Sequence, residues 1–255
     1  MIDLHCHVLP GMDDGSRLLE ETMDMARTAA KNNIDTIVAT PHTLNGFFIN
    51  KWDNVISLTA TVQRALDAEN IPVTLYPAME AQVCPELFDA LEKGEAATIN
   101  GNGRYLLLEF PPFSLPPGTG DFIFRLKLQG IIPVIAHPER HLVLQNDLRQ
   151  LFDLVRQGAL CQLTALSITG YLGADVQKSA EQMIKTGLVH VIASDAHAND
   201  QRIMALAPAV ARAAEILQDQ SRAEMMVTET PAAIIAGRDV VVAEPVLDKK
   251  KWWVF

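Results

Sequence analysis

Met1-Ile-Asp-Leu-His-Cys-His7 opens the chain. Ile2 to His5 reads as a strand, and side chains on a strand alternate faces with a period of two. His5 and His7 therefore project on one side and Cys6 on the other. Two imidazoles one strand step apart can close on a single cation, whereas Cys6 belongs to the core. The same arrangement recurs along the chain: Ala39-Thr-Pro-His42, Ile135-Ala-His137-Pro-Glu-Arg140 and Ala193-Ser-Asp195-Ala-His197 each place a histidine just past a short apolar run.

Those runs are strand signals, rich in β-branched and aliphatic residues. They are Ile2 to His5, Ile34 to Ala39, Val73 to Pro77, Tyr105 to Glu109, Ile131 to Ala136, Ala159 to Leu163 and Val189 to Ala193. Helical patterns lie between and after them, at Arg17 to Asn32, Trp52 to Glu69, Pro85 to Lys93, Gly120 to Gln129, Asn146 to Gln157, Asp175 to Thr186 and Arg202 to Gln218. A last helix starts at Thr230-Pro231 and ends before Gly237. Ser16 is expected to cap the first helix, with Glu20 and Glu21 favourable in its first turn. Strands alternating with helices imply a parallel sheet, and seven such units suggest an α/β chain closed or nearly closed into a barrel. In such barrels chemistry collects at the C-terminal ends of the strands. All five histidines fit that rule. His190 precedes its strand and falls at the opposite rim, and His141 reads as exposed or supporting.

Four carboxylates share the rim: Asp14 in Met12-Asp-Asp-Gly15, Glu80 in Pro77-Ala-Met-Glu80, Glu109 at the tip of an apolar strand, and Asp195. An acid at the end of an apolar strand is costly to bury alone, and a divalent cation is one partner that offsets the cost. A lone buried histidine is usually a hydrogen-bonded core residue. Five of them with four acids at strand ends are a metal site. Nine donors exceed the about four to six that one ion takes, so the set suits two or three. Mixed imidazole and carboxylate donors favour manganese, iron or zinc. Asp13 could serve in place of Asp14, while Asp3 and Glu139 read as supporting residues. Arg140 and Arg202 follow ligand-bearing strands, and guanidinium forks bind phosphate oxygens in pairs. A positive cluster with two arginines suits a phosphate ester. Clustered cations would acidify a bridging water into the hydroxide that attacks phosphorus.

Composition narrows the class. The chain has 255 residues, 49% of them hydrophobic, and a net charge of -10, so it is expected to be one domain of residues 1–255 that does not bind duplex DNA. The final stretch of about 17 residues reads as a tail. Its Trp252-Trp-Val-Phe255 either packs back on the barrel or meets another subunit, leaving a homo-oligomer possible. The absence of a basic leader and of any apolar run near the roughly 20 residues of a membrane span argues against secretion and insertion. Three unpatterned cysteines suit a reducing cytoplasm. There is no Gly-x-Ser-x-Gly elbow, no phosphate-binding glycine loop, and no Cys with an Arg five or six residues on. Phe110-Pro-Pro-Phe113 begins either a rigid rim loop or a plain connection.

At His5-x-His7, Asp13-Asp14-Gly15, Thr40-Pro41-His42, Glu80, Glu109-Phe-Pro111, His137-Pro-Glu-Arg140 and Ser194-Asp195-Ala-His197 the chain resembles the polymerase-and-histidinol-phosphatase superfamily. Within it, the chain is most similar to the bacterial metal-dependent protein tyrosine phosphatases of capsular and exopolysaccharide operons. The resemblance implies a distorted (β/α)7 barrel with a trinuclear, usually manganese, site. It implies His5, His7, Asp14, His42, Glu80, Glu109, His137, Asp195 and His197 as ligands, with Glu80 bridging, and Arg140 and Arg202 holding the phosphate. It implies phosphotyrosine substrates on the tail of a bacterial tyrosine kinase. A phosphatase for a small metabolite such as histidinol phosphate would share nearly the same site. A non-catalytic metal-binding module would have lost ligands, and every motif position is filled.

Overall fold

The computed structural model describes residues 1–198 and 205–246. Nine strands run through the described residues: β1 (Ile2–Cys6), β2 (Thr36–Ala39), β3 (His42–Thr43), β4 (Thr74–Pro77), β5 (Glu80–Gln82), β6 (Tyr105–Glu109), β7 (Ile132–Ala136), β8 (Leu160–Thr164) and β9 (Val191–Ala193). They form two sheets, β1-β2-β4 and β3-β5-β6-β7-β8-β9, and every pairing is parallel. The two sheets are continuous pieces of one arrangement. Thr40-Pro41 interrupts what would be a single strand through β2 and β3, and Ala78-Met79 does the same between β4 and β5. Ala78 N–H donates to Ala39 C=O at 2.8 Å and Glu80 N–H to Pro41 C=O at 3.0 Å, so pairing persists across both breaks. Nine strands thus occupy the seven positions expected from the sequence. On the other flank Asp195 N–H donates to His5 C=O at 2.8 Å and His7 N–H to Ala196 C=O at 3.0 Å, joining β1 to the segment after β9. The result is the distorted (β/α)7 arrangement.

Strand parity sorts the core. Leu106 and Leu108 of β6, Ile135 of β7 and Cys161 and Leu163 of β8 pack outward under the helices. Leu107, Val134, Ala136 and Leu160 point into the ring with Leu4, Val38 and Val191. Ile99, Tyr105, Ile234 and Ile235 join this inner cluster, with Tyr105 at the N-terminal start of β6. The inner apolar plug thus fills the lower barrel, and the histidines and carboxylates of the candidate site gather at the C-terminal end.

The helices are α1 (Leu19–Lys31), α2 (Trp52–Ala68), α3 (Glu86–Glu92), α4 (Thr119–Leu128), α5 (Leu142–Asn146), α6 (Leu148–Arg156), α7 (Ala165–Ile168), α8 (Ala174–Lys185), α9 (Ala207–Leu217), α10 (Gln220–Met225) and α11 (Glu229–Ile235). Two expectations need correction. Ser16 does not cap α1. Leu18 is the cap residue, and the Ser16 hydroxyl is occupied by Leu18 C=O at 2.9 Å and the Thr22 hydroxyl at 2.8 Å. The helix expected over Asn146 to Gln157 starts earlier and breaks at Asp147, whose carboxylate accepts from Arg149 N–H at 3.1 Å and caps α6. A short acid that can bond the backbone ahead of it favours a new start over continuation. Of the helix expected over Arg202 to Gln218, the described part is α9, which starts at Ala207 after Leu206 as cap. Arg202 and the aromatic tail Trp252 to Phe255 lie outside the described residues.

Candidate metal centre

β1 delivers His5 and His7 to the same side, as period two requires, with their Nε2 atoms 3.1 Å apart. Both rings are buried. The register slips between Asp3 and Cys6, a type of irregularity common beside active sites. Cys6 packs away from them in the outer core. β3 supplies His42, β5 supplies Glu80, β6 ends in Glu109, and the residues after β7 and β9 supply His137, Asp195 and His197. Asp14 comes from the loop after β1.

Glu80 is the hub. Its Oε2 lies 3.2 Å from His5 Nε2, 3.4 Å from His7 Nε2 and 3.0 Å from His42 Nδ1, and its Oε1 lies 2.9 Å from His137 Nε2. Asp195 Oδ1 sits 3.3 Å from His7 Nε2 and 3.5 Å from His5 Nε2. Glu109 reaches His42 at 3.6 Å and His137 at 3.9 Å. Asp14 Oδ1 is 3.5 Å from His197 Nε2 and 3.7 Å from His42 Nε2. Three donor groups come together within 4.8 Å: His7, Asp14, His42 and His197; His5, His7 and Glu80; His42, Glu80 and Glu109. Each pair of groups shares a residue, which is how neighbouring cations share ligands.

The donor chemistry fits metal. His7 Nδ1 faces the Asp13 carboxylate at 2.7 Å and therefore carries a proton. His5 Nδ1 faces Gln162 Oε1 at 2.9 Å and is protonated for the same reason. Both Nε2 atoms are then left with lone pairs pointing at one another across 3.1 Å. A proton on one of them, or a cation between or beside them, relieves that contact. A ligand histidine whose other nitrogen donates to a carboxylate or amide oxygen is the usual supporting pattern of a metal site. Glu80 Oε2 and His42 Nδ1 are likewise buried without a hydrogen bond.

Asp13 and Asp14 separate cleanly. The Asp13 side chain is buried and fully engaged, its Oδ2 also accepting His42 N–H at 3.0 Å and its Oδ1 accepting Gly15 N–H at 3.0 Å. Asp14 points into the donor group. Gly15 is required for this loop, since a Cβ there would lie 2.1 Å from the His7 carbonyl oxygen.

Charge balance tells the same story. Burial opposes charge on His5, but the Glu80 and Asp195 carboxylates outweigh it and raise the ring to about 9. His7 is raised well above the usual range against its burial, by hydrogen bonds to Asp13 and Asp195. Glu80 and Asp195 are held well below the carboxylate range, despite burial, by the surrounding imidazoles. His197 holds Asp14 down to about 2. Burial and the charge of Glu80 push Glu109 up to about 7. Burial and Arg140 push His137 down. A nest of carboxylates that forces protons onto imidazoles is one that would trade those protons for metal.

Two of the candidate positions carry backbone strain. His137 has φ 32 and Asp195 φ 52, conformations costly for side-chain-bearing residues and concentrated at functional sites. Asp3 holds the second, accepting from Ser194 N–H at 2.9 Å and from the Ser194 hydroxyl. Arg140, in the short 3-10 turn Pro138–Arg140, pairs through its guanidinium with Asp195. Glu139 is buried and accepts from Thr164 N–H at 3.0 Å and Ser167 Oγ at 2.6 Å, tying that turn to α7. His141 is buried, so of its two readings the exposed one is set aside. The residue the sequence reading missed is Gln162. The signal was there, as a polar residue inside the apolar run Leu160-Cys-Gln-Leu163.

YwqE of Bacillus subtilis, a tyrosine-protein phosphatase, is 36% identical over 197 residues, covering 77% of each chain. CpsB of Streptococcus pneumoniae, also a tyrosine-protein phosphatase, is 29% identical over 209 residues, covering 79% of this chain and 85% of that one. A solved structure from the work on YwqE and CpsB as metal-dependent tyrosine phosphatases superposes with a TM-score of 0.92 at 32% identity, covering 98% of this chain and all of that one. A phosphotriesterase homology protein from Escherichia coli, at 11% identity and a TM-score of 0.57, shares the fold alone. The model of the capsular polysaccharide synthesis family CpsB/CapC matches residues 1–236, a span that takes in every histidine and carboxylate of the centre. With that span and those relatives, this chain belongs to the CpsB/CapC family of capsular polysaccharide synthesis.

Proposed function

We propose that this chain is a metal-dependent protein tyrosine phosphatase, acting on phosphotyrosines in the tail of a bacterial tyrosine kinase that controls polysaccharide export. The observation that carries the reading is the triad of overlapping donor groups, joined at Glu80, His7 and His42, with Arg140 at its edge. Kinship with relatives named as tyrosine phosphatases supports the substrate class. Among the described residues no helix is long and apolar enough to cross a membrane, in keeping with work at the cytoplasmic end of an export system.

His5, His7, Asp14, His42, Glu80, Glu109, His137, Asp195 and His197 would hold up to three divalent ions, manganese first, with iron or zinc as substitutes. Such ions supply Lewis acidity toward the phosphoryl oxygens and water acidified to near neutrality. The protein's own part is placement. Asp13 and Gln162 fix the tautomers of His7 and His5, so that both present Nε2 to the centre. Arg140 offers a forked set of donors to the phosphate and stays charged at any working pH. Arg202 would share that task. Asp195, paired with Arg140, sets where the guanidinium rests between turnovers. A phenolate leaves readily, so no strong general acid is needed. No covalent phospho-enzyme is required.

The test is assay of purified protein, stripped of metal and reloaded with manganese, on a phosphotyrosine peptide, a phosphoserine peptide and histidinol phosphate. Metal-dependent release from phosphotyrosine alone is expected. Preference for histidinol phosphate would move the activity to small metabolites. Absence of release from all three by metal-loaded protein would overturn the enzyme reading.

A further inference from the structure

A cleft of about 100 Å³ opens against the metal centre. One wall is shared with the centre and consists of Glu109, His137 and Arg140. The other is Phe110, Pro112 and His141, with Ala136 between the two. None of these outer residues belongs to the donor groups. We propose that this cleft is the ring slot of the enzyme, selecting aryl phosphate esters over alkyl ones, with Phe110, Pro112 and His141 as its specificity-determining residues. The proposal deepens the phosphatase reading above and rests on it.

Size comes first. An apolar cavity of about 150 Å³ holds one benzene molecule. A cleft of about 100 Å³ with an open side takes one flat ring, part of it left outside, and no bulkier group. Chemistry comes second. The Phe110 and His141 rings meet edge to face, with centroids 6.0 Å apart and planes at 70°. A third ring can join such a pair in the offset or edge-on contacts that aromatic groups prefer. Polarity comes third. Arg140 stands at the shared wall, so a phosphate on its guanidinium places an ester substituent against the apolar wall. An alkyl phosphate such as phosphoserine is too short to cover that wall and would leave it wet.

The wall is also preset. Phe110 and His141 are only 4% and 5% exposed. His141 Nδ1 accepts from Leu144 N–H at 3.3 Å, which fixes the ring over α5. Leu142 N–H donates to Pro112 C=O at 3.1 Å, tying the proline-rich loop to the same helix. Prolines at 111 and 112 have locked φ angles, so little freedom is lost when a ligand arrives. The loop after β6 is therefore a rim element and not a plain connection.

Calorimetric titration of the manganese-loaded protein with benzylphosphonate, ethylphosphonate and inorganic phosphate tests this without turnover. The wild type should bind benzylphosphonate about tenfold tighter than ethylphosphonate, the scale of one good aromatic contact with its buried area. Pro112 is exposed, so Pro112→Trp should fold normally and fill the mouth. It should bring benzylphosphonate down to the level of ethylphosphonate while phosphate affinity stays within about twofold. Phe110→Leu keeps an apolar but smaller side chain and removes the ring, and should cost the benzyl ligand about two- to tenfold. A wild type that does not discriminate, or a benzyl preference that survives both substitutions, would overturn the slot. If phosphotyrosine is still hydrolysed in that case, the phosphatase reading stands alone. If phosphate does not bind and no ester is hydrolysed, both fall.

Discussion

His42 belongs to two of the three donor groups, and Asp195 touches His5, His7 and Arg140. Removing either should therefore cost more than one ion. His42→Ala and Asp195→Ala are expected to abolish phosphotyrosine turnover, and wild-type rates in His42→Ala would sink the ligand assignment. Arg140→Ala should act differently. It removes a charged donor to the phosphate, so KM should rise about ten- to a hundredfold with a smaller change in kcat. Steady-state kinetics on a phosphotyrosine peptide separates the two cases. Asp13 offers a subtler test because it supports His7 from behind. Asp13→Asn keeps the shape but no longer demands a proton on His7 Nδ1. Metal affinity should fall about ten- to a hundredfold, read by competition with a chelator. An unchanged affinity would make Asp13 a loop residue only.

Elements explain which of these residues could be read beforehand. A strand has one period, so Met1 to His7 fixed the shared direction of His5 and His7, and the five histidines past apolar runs marked the working rim. Loops have no period. The choice between Asp13 and Asp14 depended on the turn around Gly15, which brings the loop within contact of the His7 carbonyl. The break at Asp147 was illegible because both halves carry helical patterns, and only the cap bond to Arg149 divides them. Ser16 looked like a cap in composition, yet its hydroxyl serves Leu18 and Thr22. His141 looked peripheral because burial there comes from the proline-rich loop, distant in pattern though adjacent in space. The Gly15 turn gives a prediction at this scale. Gly15→Ala drives a methyl into the backbone at 2.1 Å, so the loop must move and carry Asp13 and Asp14 with it. Loss of metal and activity with the barrel's circular dichroism intact is the expected result. A fully metallated Gly15→Ala protein would show that the loop tolerates the shift.

The whole molecule couples protons to metal and to stability. Without cations the centre keeps protons on His5 and His7 through the surrounding carboxylates. Metal binding should therefore release protons, visible as calorimetric heats that scale with the ionisation enthalpy of the buffer, and affinity should rise with pH through the neutral range as the two imidazoles are relieved of their protons. Heats independent of buffer would contradict this. His190 makes an independent contribution at the opposite rim. It is buried, accepts from Cys161 N–H at 3.0 Å, and burial holds its ring down to about 4. The folded state resists its protonation, so the unfolded chain binds the proton first. Stability is full above about 6.5 and falls as pH drops from there toward 4, by about 3 kcal/mol in all. Denaturant titrations of His190→Gln should lack that part of the decline, and an identical pH slope in the variant would refute the assignment. The bond from Asp195 N–H to the His5 carbonyl has a further consequence for how the protein is made. Its two ends are about 190 residues apart, and at about 5–20 residues per second a ribosome needs roughly 10–40 s to deliver the second after the first. For that interval the nascent chain carries His5 and His7 with no partner from the segment after β9, so this cluster of donors is among the last features of the fold to be completed.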